Sequence, residues 1–417
     1  MNEKLSVIPG RPYFCKDGKP FFWLGDTAWL LFVNLTDEQA YAYLENRKSK
    51  GFNVVQATLI HFAAKTPDEN EYFRKEEYWR HVDNVVKKAE ELGIYMALLP
   101  SWGGVVKQGT LNLENVDRYA AFLNDRFSGR HNIIWLLGGD IKPDGLEDYY
   151  ARLAGDLKNA APDRLVGFHP FGRCSSSLWF NDAPWLDFNM FQSGHRRYDQ
   201  CQMGAWDDTS NIMSLNGEDN WKYVLHDLGE SRRPVLDGEP SYENIPQGLH
   251  DDTQPYWTAH EVRRYAYWSV LAGAAGHTYG HNAIMQFYDS SKGKKGSYGV
   301  KDDWRDAMDH PGAFQMQYVK RLVESVDFTH GCAADELVLG GQRERHERVA
   351  VLAGADFLIA YSFTGKEFSL DVRKLAGKRA YLMNPATGEY SDAGEIAGDS
   401  FTYTPSDKYE DVVVLIK

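Results

Sequence analysis

Between Phe21 and about Phe328 the chain alternates short apolar runs with longer segments of helical period. FFWLGD (21–26), FNVVQATLI (52–60), IYMALLPSW (94–102), NIIWLLGGD (132–140), RLVGFHP (164–170), WLDFNMFQSGH (185–195), RPVLDGEP (233–240) and GHTYGH (276–281) read as eight strands. Their apolar runs are continuous, the pattern of a sheet covered on both faces. A helix opens after the first strand at Thr36, with Glu38 and Gln39 in its first turn. In YWRHVDNVVKKAEELG (78–93), Trp79, Val82, Val85, Val86, Ala89 and Leu92 recur at helical spacing. Further helices are expected in ENVDRYAAFLNDRFSG, LEDYYARLAGDLKNAA, DNWKYVLHDLGESR and AHEVRRYAYWSVLAGAA, and the last near Pro311. Strands each followed by a helix predict an α/β fold closed into a (β/α)8 or TIM barrel. An open doubly wound sheet is the alternative, but no G-x-G-x-x-G follows the first strand.

After about residue 330 the period changes. RVAVLAG (348–354), FLIAYSF (357–363), FSLDV (368–372), RAYLMN (379–384), SFTYT (400–404) and DVVVLIK (411–417) are short strands parted by turn signals such as TGKE and NPATGE. The division expected is a barrel over 1–330 and a small antiparallel β-sandwich over 331–417. No repeat or low-complexity linker separates them, so rigid docking is expected.

Composition narrows the function. The 417 residues carry a formal net charge of −13, and the densest basic run is KGKK (292–295), so a nucleic-acid partner is not expected. No run approaches 18 apolar residues and MNEKLSVIPGRPYF lacks an apolar leader core. The expectation is a cytoplasmic protein with no membrane partner, to be revised if a leader has been trimmed. Cys15, Cys174, Cys201 and Cys332 form no C-x-x-C pair, which leaves structural zinc and dithiol redox chemistry unsupported and buried free thiols the default. Aromatics reach 14%, with 12 Trp and 24 Tyr. Most must serve the core, but some could form flat platforms for sugar rings.

In a barrel of this kind the C-terminal strand ends face the active site. Those positions are Asp26, His61, Trp102, Asp140, His169, Gln192 with His195, Glu239, and His277 with Tyr279 and His281. A single histidine at a strand end is usually a satisfied core residue; a polar or aromatic group at all eight ends points to a site. Asp140 follows two glycines, which allow close approach of backbone or ligand, and Glu239 follows Gly238. Strands four and seven lie across the barrel mouth, so these carboxylates can flank one bound group. Glycosidic cleavage needs such a pair: one protonated, to assist the leaving oxygen, and one ionised, to attack the anomeric carbon or activate water. Simpler roles exist. Asp140 could cap a helix, Glu239 could pair with Arg233, and Asp237 could replace Glu239, although it lies farther from the rim on the same face. His61, His169, His195, His277 and His281 could bind zinc, but WLGDTAW in the first strand lacks a His-x-His pair and no H-E-x-x-H occurs. Neither a metal nor another cofactor is therefore expected. A carbohydrate-binding protein without activity is a further alternative.

DGKPFFWLGDT (17–27), GFNVVQATLI, NIIWLLGGD and RPVLDGEPSYE (233–243) resemble the apiosidase-like glycoside hydrolases, family 140, and the resemblance covers nearly the whole chain. The C-terminal strands are similar to the small sandwich of that family, which carries a collagen-binding label. The resemblance implies a (β/α)8 barrel, release of the branched pentose apiose from plant glycans, Asp140 as acid/base and Glu239 as nucleophile, with retention of configuration. Related barrel glycosidases carry Asn-Glu at the end of strand four, whereas Gly139-Asp140 stands here, with an acid shorter by one methylene. The substrate expected is an oligosaccharide or glycoside bearing a terminal pentose. Asp26, His61, Trp102, His169, Gln192, His195, Tyr279 and His281 would bind it, with Trp29 a further stacking surface and Trp304, in KDDWRDAMDHPG, over the pocket. Oligomeric state is left open.

Overall fold

The computed structural model describes residues 4–61, 75–200, 212–293 and 295–417. Cys201 and Lys294 of KGKK lie outside the described residues. The α/β part runs β1 (Trp23–Thr27), α1 (Asp37–Ser49), β2 (Val54–Thr58), α2 (Glu76–Glu91), β3 (Tyr95–Leu99), α3 (Val116–Phe127), β4 (Ile133–Ile141), α4 (Glu147–Ala160), β5 (Val166–Pro170), α5 (Ser177–Phe180), β6 (Asn189–Phe191), α6 (Asn220–Glu230), β7 (Val235–Asp237), α7 (Ala259–Leu271), β8 (Gly276–Tyr279) and α8 (Pro311–Glu324). All strand pairs here are parallel, in the order β8-β1-β2-β3-β4-β5 in one sheet and β6-β7 in a second. Single backbone bonds bridge the two seams, Asp187 N–H to the Val166 carbonyl and Ala275 N–H to the Val235 carbonyl, both at 2.9 Å. The barrel is therefore closed in strand order, with its hydrogen-bond ladder interrupted on either side of β6-β7.

Local chemistry explains the elements. Thr36 caps α1 in a reciprocal capping box with Gln39, satisfying two orphan N–H groups. In α2 the predicted stripe Trp79, Val82, Val85, Val86 and Ala89 is buried against the sheet. At the N-terminal end of the barrel, Leu5–Val7, Phe14–Lys16 and Lys19–Phe21 form a small antiparallel sheet. From it Phe14 packs on Trp23 and Phe188, with ring centroids 5.9 and 5.7 Å away, and so plugs the barrel floor. No helix among the described residues is long and apolar enough to cross a membrane. None of Cys15, Cys174 and Cys332 is disulfide-bonded, and of the three only Cys174 is buried.

From Cys332 onward the strands are antiparallel. One sheet of six strands is ordered Cys332–Ala333, Val349–Ala353, Leu358–Ser362, Val412–Ile416, Arg379–Met383, Tyr390–Glu395; a second has Val338–Gly340, Phe368–Asp371 and Ser400–Tyr403. Alternate residues of the central strands serve two cores. Val351, Leu358, Ala360, Val412 and Val414 meet Phe368, Leu370 and Tyr403 of the second sheet, forming a sandwich. Ala350, Leu352, Ile359, Tyr361, Val413 and Leu415 join the core of the barrel. Both faces are thus dry, which is why DVVVLIK and FLIAYSF lack polar alternation.

The two parts meet on α7. Tyr267 stacks on Tyr361 with centroids 4.4 Å apart, and Arg263 grips Asp411 through two bonds of 2.8 and 3.1 Å. Both charged side chains are almost fully buried, and the Tyr361 hydroxyl donates to Asp411 as well. Removing one member would strand a buried charge. Arg263→Ala is expected to lower the unfolding free energy by about 3–5 kcal/mol, read from urea titration followed by tryptophan fluorescence.

Candidate active site

In β4, burial is continuous from Ile133 to Gly139, and Asp140 is the one exposed residue. The ladder to β5 pairs Gly138 with His169 and then resumes at Ile141 with Pro170, so Gly139 and Asp140 are pushed out as a bulge. Three successive residues take positive φ: Gly138 at +91°, Gly139 at +99° and Asp140 at +47°. Both glycines are needed for space as well. A Cβ on Gly138 would lie 2.3 Å from the His169 carbonyl oxygen, and one on Gly139 2.8 Å from the Trp102 ring. The bulge turns the Asp140 carboxyl into the barrel mouth.

Glu239 lies two residues beyond the end of β7 and is buried. Gly238 fits there because a Cβ would meet the Met190 sulfur at 2.2 Å, and Gln56 Nε2 donates to its carbonyl at 3.0 Å. Each carboxylate oxygen of Glu239 faces an imidazole. His195 Nε2 is 3.1 Å from Oε1, and His169 Nε2 is 3.2 Å from Oε2. His169 Nδ1 lies 3.1 Å from the Pro170 carbonyl oxygen, which can only accept, so Nδ1 carries a proton. Nε2 would then face the carboxylate with a lone pair unless it too is protonated. The ion-pair contact with Glu239 favours a second proton on Nε2, which leaves the carboxylate ionised. One ligand-type atom each of Asp140, His169 and Glu239 lies within 4.8 Å of the others.

The two carboxyls are driven apart in acidity. Crowding by protein, then the charge of Glu239, pushes Asp140 up to about 7, against the charge of His169 and a hydrogen bond from Gln192. Water reaches the carboxyl through the open mouth, so a ligand that displaces this water moves the value further up. Burial also acts to raise Glu239, but hydrogen bonds and charge from His169 and His195 outweigh it and hold the group at about 2. Burial opposes protonation of His169, and the Glu239 carboxylate overcomes this and raises its pKa.

Aromatic groups wall the site. Trp29 packs edge-on against Trp102 and His169, each with centroids 5.3 Å away, and His61 lies 5.3 Å from Trp102. Burial lowers His61 to about 4, keeping it neutral. Beside Asp140 opens a cavity of about 100 Å³, lined by Phe171, Gln192, His195, His250 and Tyr298. Tyr242 packs on the His195 ring at 4.7 Å; burial, then the Glu239 charge, raise its pKa well above that of free tyrosine. Tyr242 and Tyr298 were not anticipated. Tyr242 had a weak signal, an aromatic three residues beyond Glu239 at the same strand end.

The structure brings together Asp140, Glu239, His61, Trp102, His169, Gln192 and His195, and turns the other expected residues elsewhere. Asp26 points into the helix layer, fully buried, where it accepts from Tyr43 and pairs with Arg47 Nε at 2.6 Å. Tyr279 also points outward and donates to Glu243 at 2.5 Å. His277 faces Ser269 of α7 at 3.4 Å. His281 caps the short helix after β8 by accepting from Ala283 N–H, and its Nε2 meets His310 Nδ1 at 3.0 Å. Trp304 is core, packed on Phe287, and forms no lid. Asp237 does not share the face of Glu239, because the strand ends between them. It accepts from Ser193 Oγ at 2.8 Å and Asn220 Nδ2 at 3.0 Å, bracing the segment between Gln192 and His195. Arg233, the suggested partner for Glu239, donates instead to the Leu186 carbonyl.

Among the described residues two groups could offer three ligand atoms to a metal: Asp140–His169–Glu239 and His281–Asp302–His310. In the second, His281 Nδ1 accepts a backbone N–H, so Nε2 carries the proton that it donates to His310. A metal on that Nε2 would force a proton onto Nδ1 against the Ala283 donor, the reverse of the usual ligand arrangement.

Parallel strands ringed by helices, with two carboxylates at the C-terminal mouth, form the fold of a glycoside hydrolase. The chain belongs to the apiosidase-like family: the model described as "Apiosidase-like, catalytic domain" matches residues 9–330. A second, described as "Putative collagen-binding domain of a collagenase", matches residues 333–417. A solved structure described as a glycoside hydrolase is 37% identical, with TM-score 0.92, covering 100% of this chain and 97% of its own. A glycoside hydrolase family 5 structure from Bacteroides vulgatus is 36% identical, with TM-score 0.90 and coverages of 100% and 94%. An endo-β-1,4-mannanase from Thermotoga petrophila shares the fold at 11% identity, with TM-score 0.51 and coverages of 93% and 92%. No curated protein matches.

If the bulge sets the position of Asp140, Gly138→Ala must shift it by pressing on the His169 carbonyl. Glycosidase turnover in this variant is expected to fall about 100-fold, the effect of a misplacement near 1 Å, while circular dichroism stays native.

Proposed function

We propose that this glycoside hydrolase releases a terminal apiose or related pentose from plant oligosaccharides or glycosides by a retaining, two-carboxylate mechanism. The observation that carries the mechanism is the placement of two carboxyls within 4.8 Å of a shared histidine, one of them held by an imidazole on each oxygen; their environments push the two acidities apart. In the first step Asp140 gives its proton to the glycosidic oxygen while the Glu239 carboxylate bonds to the anomeric carbon and the alcohol leaves. In the second, Asp140, now ionised, takes a proton from water as the water oxygen attacks the same carbon and frees Glu239. The reading of retention rests on the family resemblance; one oxygen of each carboxyl lies within 4.8 Å of the other, which is compatible with the about 5–5.5 Å of retaining pairs. His195 and His169 hold the Glu239 carboxylate in place, and Gln192 orients Asp140. Family membership and the small cavity support a single terminal sugar of pentose size.

The activity assay is sugar release from an apiose-bearing flavone glycoside, run beside aryl xylosides, arabinosides and glucosides. Asp140→Asn is expected to lose about 10²–10⁴-fold on poor leaving groups, with less loss on nitrophenyl glycosides, which need little acid assistance. Glu239→Gln is expected to lose at least about 10⁴-fold on every substrate. Full turnover in Glu239→Gln would end this reading. NMR of the first-formed product should show the anomeric configuration of the substrate.

Acidity sets the pH profile. Asp140 must be protonated, so kcat/KM falls as pH rises through about 7; Glu239 must be ionised, so it falls again only as pH drops toward about 2. The expected profile has its basic limb near neutrality, and Asp140→Asn should erase that limb.

A further inference from the structure

The connection between β8 and α8 holds an aromatic residue that the two-carboxylate chemistry does not use. Tyr298 is 37% exposed and takes a φ of +54°, which costs a non-glycine residue free energy unless its surroundings impose it. The surroundings do impose it. Asn282 Nδ2 donates to the Tyr298 carbonyl at 2.8 Å, and the Tyr256 hydroxyl to the Gly299 carbonyl at 2.9 Å. Gln286 exchanges two bonds with the backbone of Ser297, at 2.8 and 3.2 Å. Three successive peptides are therefore clamped by side chains from outside the segment. No core position is gained, because the ring faces the cavity beside Asp140 and touches His250 at 5.7 Å between centroids. Burial, then the charges of Asp140 and Glu239, push the hydroxyl up to about 12, so it stays neutral.

Two polar side chains that line the cavity already serve the carboxylates. Gln192 is bonded to Asp140, and His195 to Glu239. At about 100 Å³ the space is well below the roughly 300–1,000 Å³ of ordinary ligand pockets. We propose that Tyr298 is the specificity-determining roof of this pocket, held over it so that a pentose fits and the additional carbon of a hexose does not. This rests on the glycosidase reading above and adds to it which residue makes the pentose choice.

The test compares kcat/KM for aryl glucoside and aryl xyloside in wild type, Tyr298→Phe and Tyr298→Gly. Glycine adopts a φ of +54° freely, so that variant is expected to fold and to melt no lower than wild type. Tyr298→Gly should raise the hexoside-to-pentoside ratio at least about 10-fold, the lower end of what one carbon's worth of steric exclusion gives. Tyr298→Phe, which keeps the ring, should leave that ratio within about threefold. An equal fall on both substrates in Tyr298→Gly would make the residue a mere support and overturn the proposal. If wild type cleaves no glycoside, the glycosidase reading fails separately. Calorimetric titration of xylose and glucose then reads the same ratio as affinities, and equal binding of both by wild type overturns the roof.

Discussion

Three successive peptides at positive φ, from Gly138 to Asp140, are the constraint on which the site depends. A regular β4 would carry its residues past the mouth in alternation, with neighbours facing opposite layers. The bulge breaks the alternation and sends one carboxyl inward while the ladder to β5 resumes at Ile141. The two glycines admit the turn because Trp102 and the His169 backbone close on it from either side. The same residues that force glycine at 138 and 139 therefore also wall the pocket. A strained aspartate, at about 1–3 kcal/mol, is stable there only because the ladder is fixed on both sides of it.

Position alone would not separate the two acids. Asp140 receives one amide, from Gln192, and faces Glu239, whereas Glu239 has an imidazole on each oxygen. With Nδ1 of His169 committed to the Pro170 carbonyl, that ring can donate to Glu239 only when Nε2 is protonated as well, and the Glu239 carboxylate favours that cationic form. One carboxyl is left as the proton holder and its neighbour as the anion. Neither histidine needs to touch the sugar to have this effect, which differs from their expected role as readers of hydroxyl groups.

Much of this was legible along the chain. Eight apolar runs marked the strands and their order, and GGD with DGEP pointed to Asp140 and Glu239, which the fold brings within 4.8 Å of a common histidine. What failed was the assumption that a polar residue at a strand end faces the mouth. Asp26, His277 and Tyr279 stand on the alternate face and satisfy themselves among the helices, with Arg47, Ser269 and Glu243, all on other elements, as partners. A two-residue period fixes which residues share a face, but the choice between core and helix layer rests on such partners. Trp304 and Tyr298 show the same limit in a loop. The larger aromatic went to the core, and the smaller was lifted to the mouth by a positive φ that no residue type announces.

The antiparallel sandwich is tied to this chemistry through charge as well as through α7. His346, from the sandwich side, places Nε2 2.7 Å from Glu218 Oε2, and Arg264 of α7 meets the same oxygen at 2.5 Å. The other oxygen of Glu218 accepts the backbone N–H of Tyr198 at 2.7 Å, and the Tyr198 hydroxyl donates to Asp219. Tyr198 lies three residues after His195, whose ring holds Glu239. Asp237 grips the same segment from its other end through Ser193. The stretch from Ser193 to Tyr198 is therefore pinned at both ends by buried acidic side chains, and one of these is also contacted from the sandwich side. His195 Nε2 lies 3.1 Å from Glu239 Oε1, so the contacts that pin this stretch also fix the imidazole beside the barrel's second carboxylate.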